Sequence, residues 1–284
     1  MKFIKFHGLG NDFVLLDHLD HTEQPVTVTA ALAAALANRR WGVGCDQVVE
    51  LQPATTPTAH ALMRIYNADG SQAEMCGNAA RCAASYLRRH RHIPADILSL
   101  ETLAGLIRIQ ATADGLWRVD MGMPRLEGRD IPTIWSGPVY NQPLQLDGQT
   151  YRITAVSMGN PHCVVFDPLP DAVSLEQIGP RLSEHPAFPQ RTNIELVQVI
   201  NRHNIRVRVW ERGSGLTPAC GTGACAAVVA AAWHQLTNRQ VTVHLDGGTL
   251  EITWCDEDNR VLMTGPATEV FVGYITTPFD GVPN

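Results

Sequence analysis

The segment RIYNADGSQAEMCGNAARCAA begins at Arg64, and its counterpart RVWERGSGLTPACGTGACAAV begins at Arg208; each carries a Cys-Gly pair twelve residues on, at Cys76 and Cys220. The offset of 144 is about half of the 284-residue chain. Tyr66 then faces Trp210, Asn67 faces Glu211 and Ala80 faces Ala224. Upstream, GLGNDFV at 8–14 echoes SMGNPHCV at 157–164, aligning Asn11 with Asn160, and DQVVEL near Gln47 pairs with TNIELV near Asn193. Self-similarity at one long offset restricts the fold severely, because both halves must adopt the same unit.

The unit is rich in strands. Apolar runs with many β-branched residues fall at about 13–16, 47–51, 61–66, 97–101, 105–111 and 116–121 in the first half. The second half has them at about 151–157, 162–166, 193–200, 204–211, 240–245, 249–254 and 268–275. Each half also has one polar helix candidate, at 29–40 and at 174–185, the second interrupted by Pro180. The helices after the two cysteines differ: Ala79 to Leu87 leaves little polar face and Ala224 to Trp233 none. A helix apolar all round must be buried all round, and the strands of each half are there to wrap it. The expected fold is α/β (α+β): two pseudo-symmetric domains, each a mixed, barrel-like sheet around a central helix. They should meet near MGMPRLEG at 121–128, giving domains 1–120 and 121–265 with the active site in the cleft between them.

Composition removes several function classes. The formal net charge is -6 and the pI about 6.0, with no basic stripe for nucleic acid. No secretory leader pattern opens the chain, and ACAAVVAAAW is about half the ~20 residues of a membrane span, so the expected location is cytoplasmic. Seven cysteines without a C-x-x-C pair indicate neither a disulfide framework nor a zinc site, and no metal is expected. Lysine occurs only at Lys2 and Lys5, both in the first presumptive strand, which leaves almost no candidate for Schiff-base chemistry.

Cys76 and Cys220 stand where a loop ends and a buried helix begins. The unpaired N–H groups of such a helix start carry partial positive charge, which lowers a thiol's pKa and can hold a carboxylate. A glycine after each cysteine lets a ligand approach the backbone. Two opposed thiols can invert a stereocentre, one removing a proton from one face and the other delivering one to the opposite face. A small buried hydrophobe is the ordinary explanation of a single cysteine. The in-register duplication argues against it here, while a redox pair stays open.

The motifs HGLGNDF, GCDQ, YNADGSQAEMCGNAARC, MGNPH, RTNIELV, ERGSGLTPACGTGAC and MTGPATEVF, in this order over nearly the whole chain, resemble those of the diaminopimelate epimerase family. The resemblance implies interconversion of LL- and meso-2,6-diaminopimelate without a cofactor, for lysine and peptidoglycan precursors. It also implies that the C-terminal segment 266–284 returns to the first domain. By the same likeness Cys76 and Cys220 are the acid/base thiols, tuned by His162 and Glu211. Gly77, Asn78, Gly221 and Thr222 hold the reacting carboxylate, and Asn11, Gln47, Asn67, Asn160, Asn193, Glu211 and Arg212 bind substrate, with a buried arginine among them. A homodimer is a further possibility. Ala79, Leu103 and Pro218 depart from the family's usual glycine, proline and leucine.

Three alternatives remain at this point. A proline racemase-like enzyme would use the two thiols but not the distal polar set of Asn67, Asn193 and Arg212. Phenazine-type isomerases carry acid groups in place of the cysteines. A thiol redox protein would make the disulfide its working state.

Overall fold

The computed structural model describes residues 1–20, 27–167 and 174–276, so residues 277–284 of the expected returning segment lie outside the described residues. In chain order the elements are β1 (Lys2–Gly8), β2 (Asn11–Asp17), α1 (Ala30–Ala37), β3 (Gln47–Gln52), β4 (Ala61–Asn67), β5 (Gln72–Ala73), α2 (Gly77–His90), β6 (Ile97–Thr102), β7 (Gly105–Ala111) and β8 (Trp117–Asp120). There follow β9 (Gln142–Leu146), β10 (Gln149–Ser157), β11 (Pro161–Phe166), α3 (Leu175–Ser183), β12 (Asn193–Asn201), β13 (Asn204–Glu211), β14 (Gly215–Thr217), α4 (Gly221–Trp233), β15 (Gln240–Leu245), β16 (Gly248–Trp254), β17 (Val261–Gly265) and β18 (Thr268–Tyr274). The chain divides into two compact units, Met1–Val119 with Gly265–Asn284, and Asp120–Thr264.

The duplication extends to the hydrogen-bonded ladders. In the first unit β1–β2 is antiparallel, β2–β3 parallel, β3–β4 and β4–β5 antiparallel, β4–β6 parallel, and β6–β7 and β7–β8 antiparallel. The second unit repeats that series as β10–β11, β11–β12, β12–β13, β13–β14, β13–β15, β15–β16 and β16–β17. One outer partner differs in origin: β18 pairs antiparallel with β1, whereas β10 takes β9 from just upstream.

Each unit wraps its sheet around one helix. In α2 every residue from Gly77 to Leu87 is buried, and the helix touches β1, β2, β3, β4 and β7. In α4 every residue from Gly223 to Ala231 is buried, against β10 to β13, β15 and β16. Small side chains let the strands close on these helices, and each larger one buried, such as Leu87 or Val228, contributes about 1.5–3 kcal/mol. Arg88, Arg89 and His90 mark the point where α2 leaves the core, and their charge suits a helix C-terminus.

The two peripheral helices depart slightly from the expected pattern. α1 starts after Thr29, whose Oγ1 accepts from the Leu32 N–H at 3.1 Å. It stops at Ala37 because the chain turns back, Val43 and Gly44 donating to the Leu36 carbonyl. α3 is not broken at Pro180; the helix runs through it from Leu175 to Ser183. Pro180 forfeits one intrahelical bond there. Packing compensates, since Leu175, Gly179 and Leu182 are buried and a Cβ at Gly179 would strike the Trp210 ring at 2.7 Å.

Candidate active site

In the first unit Cys76 is the N-cap of α2, with extended backbone (φ -145°, ψ 116°) and no side-chain cap bond. The strand β4, the turn after it and β5 deliver it to that position. Its thiol points to Asn11 Oδ1 at 3.9 Å, and the Asn78 amide donates to the same oxygen at 3.1 Å. Asn11 in turn donates to Asp46 Oδ2 at 3.0 Å. Asp46 and Asp12 lock together through their backbone N–H groups, and Asp12 also takes Lys5 at 2.6 Å and Arg39 at 2.7 Å. Burial would raise the Asp12 pKa, but the hydrogen bonds from Arg39 and Lys5 outweigh it and hold the group at about 2. Gln47 donates to Asn67 at 2.9 Å across the β3–β4 ladder, where the two are direct partners.

In the second unit Cys220 is the N-cap of α4, again extended (φ -117°, ψ 113°) and without a side-chain cap bond. Its Sγ lies 3.5 Å from the Thr222 hydroxyl, and Asn160 donates to that hydroxyl at 3.2 Å. His162 is wholly buried, with Nε2 on Asn160 Oδ1 at 3.0 Å and Nδ1 on Glu195 Oε1 at 2.7 Å. Asn193 presents its amide nitrogen to His162 Nδ1 at 3.5 Å and accepts from the Arg212 backbone N–H at 2.9 Å. Glu211 accepts from Thr217 at 2.6 Å.

Electrostatics correct one expectation. The helix start was expected to acidify both thiols, yet burial pushes the Cys220 thiol well above its ordinary range, and the Glu211 and Glu195 carboxyls add to the effect. The Thr222 hydroxyl and Gly223 N–H oppose it and lose. A helix terminus contributes a partial charge, whereas full desolvation of a thiolate beside carboxyl groups costs more. Cys220 is therefore a thiol at neutral pH. Cys45 and Cys82, pushed up by burial to about 11 and about 12, are inert core cysteines.

The structure thus gathers Asn11, Cys76, Gly77 and Asn78 at one helix start, and Asn160, His162, Asn193, Cys220, Gly221 and Thr222 at the other. The Arg212 side chain does not conform to the buried arginine of the sequence reading. It is exposed at the end of β13, with its guanidinium on the Gln190 carbonyl at 3.2 Å. Arg81 is the arginine without solvent exposure, donating to Asn78 Oδ1 at 2.9 Å and to the Pro266 carbonyl at 3.0 Å. Sequence reasoning missed Arg81 and Glu195. Both had a signal: a guanidinium inside the apolar run NAARCAAS, and a carboxylate two places after Asn193, on the same strand face. Among the described residues, no group of three or more His, Cys, Asp or Glu side chains could hold a metal ion.

Comparison with known proteins agrees with this geometry. The family model described as diaminopimelate epimerase matches residues 3–127 and 154–270. A diaminopimelate epimerase of Magnetococcus marinus is 53% identical over 272 residues, covering 96% of each chain. Diaminopimelate epimerase 1 of a Nostoc species is 48% identical over 278 residues, covering 96% of this chain and 99% of its own. Among solved structures, a probable proline racemase from Agrobacterium radiobacter aligns with a TM-score of 0.70 over 98% of this chain and 94% of its own, at 17% identity. A hydroxyproline epimerase from Agrobacterium vitis aligns at 0.64 over 96% and 91%, with 16% identity. Those two share the fold. With the family model matching both repeats and named members about half identical along nearly the whole length, the chain belongs to the diaminopimelate epimerase family.

Proposed function

We propose that the protein interconverts LL- and meso-2,6-diaminopimelate by two-base proton transfer between Cys76 and Cys220. The observation that carries this is the in-register repetition of a cysteine as N-cap of a wholly buried helix. Cys220 rests as the thiol, so it is assigned the part of proton donor and Cys76 the part of base, the two parts being exchanged in the reverse direction. As the Cα–H bond breaks, its proton passes to the Cys76 sulfur and its electron pair to the carbon, conjugated with the carboxylate. The Cys220 S–H then gives its proton to the other face, leaving the two sulfurs with exchanged charges.

The developing negative charge needs fixed donors. The N–H groups at Gly77 and Asn78, and at Gly221 and Thr222, are those a helix start leaves without intrahelical partners. The amides of Asn11, Gln47, Asn67, Asn160 and Asn193, with Glu211 and Arg212, are assigned to the distal amino-acid end, where a second zwitterion demands both donors and acceptors. The Gln47 Oε1 atom is buried without a partner, which suits an acceptor awaiting an ammonium group. Glu211 tunes Cys220 through its charge.

The test is proton exchange. Reduced protein incubated with LL-diaminopimelate in deuterated water should form the meso isomer with one α-deuterium, and Cys76→Ser and Cys220→Ser should each lose inversion. Inversion of proline instead would move the protein to another substrate, and exchange with no amino acid would return the cysteines to a redox or structural role. On the family's reaction we assign the protein to a cytoplasmic biosynthetic setting. No helix among the described residues is long and apolar enough to cross a membrane. The exposed Val270, Phe271, Val272 and Tyr274 of β18 favour a homodimer, which light scattering would detect.

A further inference from the structure

The repeat breaks under the second thiol. Strands β2 and β3 pair Phe13 with Gln47, and strands β11 and β12 pair His162 with Asn193. With Gln47 equivalent to Asn193, Phe13 corresponds to His162 and Val49 to Glu195. All four side chains are without solvent exposure. The first unit fills these positions with hydrocarbon, so the fold itself does not require a charged or polar pair there. Burying two ionisable groups is costly unless they are paired and oriented.

The orientation can be read link by link. The Arg212 N–H needs an acceptor and takes Asn193 Oδ1, which turns the Asn193 amide nitrogen towards His162 Nδ1. That contact is long, 3.5 Å, and fits an unprotonated Nδ1, as does the buried, partnerless Glu195 Oε2. The proton of the 2.7 Å contact between Nδ1 and Glu195 Oε1 then belongs to the carboxyl, and the ring proton sits on Nε2, donated to Asn160 Oδ1. Asn160 passes its own N–H to Thr222 Oγ1, which leaves the Thr222 proton for Cys220 Sγ. Glu195 Oε2 is buried without a partner, as fits a neutral acid better than a carboxylate. Gly223 keeps the region compact: a Cβ there would stand 2.8 Å from Glu195 Oε1 and 3.4 Å from Cys220 Sγ.

We propose that Glu195 is a positioning residue for Cys220: as a neutral acid it fixes the His162 tautomer and, through Asn160, aims the Thr222 hydroxyl at the sulfur. This rests on the two-thiol reading of the site and goes beyond it. The carboxyl proton is not transferred; it is held in place through the cycle. What the chain of bonds supplies is a donor for the thiolate form of Cys220, against the burial and the Glu211 charge that oppose that form. The groups facing Cys220 are Glu211 on β13 and Glu195 on β12, the second opposing the thiolate only when ionised; those facing Glu195 are His162 on β11, which when protonated attracts its charged form, and Glu211, which repels it. Burial favours the neutral form of Glu195 above all.

The experiment reads alkylation of Cys220 by iodoacetamide, peptide by peptide in the mass spectrometer, across the alkaline pH range. Glu195→Ala should raise the apparent Cys220 pKa by about one unit, a roughly tenfold slower alkylation at a fixed pH below it. Glu195→Gln, whose amide can still donate to Nδ1, should keep the wild-type profile. Thr222→Val should reproduce the Ala shift and show no further shift when combined with it. The proposal is overturned if Glu195→Gln speeds alkylation, which would show an ionised carboxylate, or if neither Glu195→Ala nor Thr222→Val moves the profile. Should Glu195→Ala not fold, the Gln and Val variants decide alone. Wild-type epimerisation is measured separately, so failure of the two-thiol reading and failure of this one are told apart.

Discussion

Gly223→Ala puts a methyl group where the second unit has no room for one. Its Cβ would approach Glu195 Oε1 to 2.8 Å and both Cβ and Sγ of Cys220 to 3.4 Å. A flexible carboxyl group could swing away, but this one is wholly buried and bonded to His162 at 2.7 Å. Three terms decide the sign. Alanine gains about 1 kcal/mol over glycine in helix propensity. Overpacking a dense core costs about 1–3 kcal/mol, and pushing Glu195 off His162 costs about 1–3 kcal/mol more for the buried groups left unpaired. The net is a loss of about 1–5 kcal/mol, where an exposed helix position would show a gain. Urea unfolding checks it: a loss of about 2 kcal/mol lowers the midpoint by roughly 1 M at a slope of about 2 kcal/mol/M. In a Glu195→Ala background the obstructing atom is gone and the penalty should largely vanish. A Gly223→Ala protein as stable as wild type would refute the tight contact between α4 and Glu195.

Glu211→Gln removes a carboxylate that raises the Cys220 pKa, so Cys220 alkylation should become faster at fixed pH; slower alkylation would contradict the charge argument. Asp12 has its pKa lowered from 3.8 to about 2, so the stability it brings is complete above pH 3.8 and drains as the pH falls towards 2. With Arg39 59% exposed we expect a contribution of about 1–2 kcal/mol, seen as a shallower acid limb in Asp12→Asn during pH-dependent unfolding. Gly42→Ala would set a Cβ 2.0 Å from the Ala35 carbonyl oxygen and 2.8 Å from that of Leu36. Because backbone must move, a loss of about 3 kcal/mol or more is expected by calorimetry, with displacement of the loop that carries Asp46 and leads into Gln47.

How much of this a reader can extract from the sequence depends on whether a feature repeats. The strands were legible through β-branched runs, and α2 and α4 through their lack of a polar face. Strands β5, β9, β14 and β17 were not. β5 and β14 span two and three residues, too short to show any period, and only their pairing back onto the preceding strand, β4 and β13, makes them strands. Depth was equally hidden: nothing in PACGTG says that burial would outweigh the helix start at Cys220, or that Arg212 would lie exposed while Arg81 is enclosed. The repeat explains the difference. Positions that match across the 144-residue offset, such as Cys76 and Cys220, report what both units need, namely a thiol on a buried helix start. Under the two-thiol proposal, positions that fail to match report what the reaction needs of one unit alone. Phe13 and Val49 against His162 and Glu195 is such a failure, and it lies beneath the thiol whose proton must be both held at rest and released in turnover. Symmetric packing with hydrocarbon would have left Cys220 a weaker acid still, since burial without the Thr222 donor has nothing to oppose it from that side. A duplicated fold supplies the cysteine twice; unequal surroundings hold Cys220 as the thiol, the form that the proposed two-base inversion needs in its proton donor.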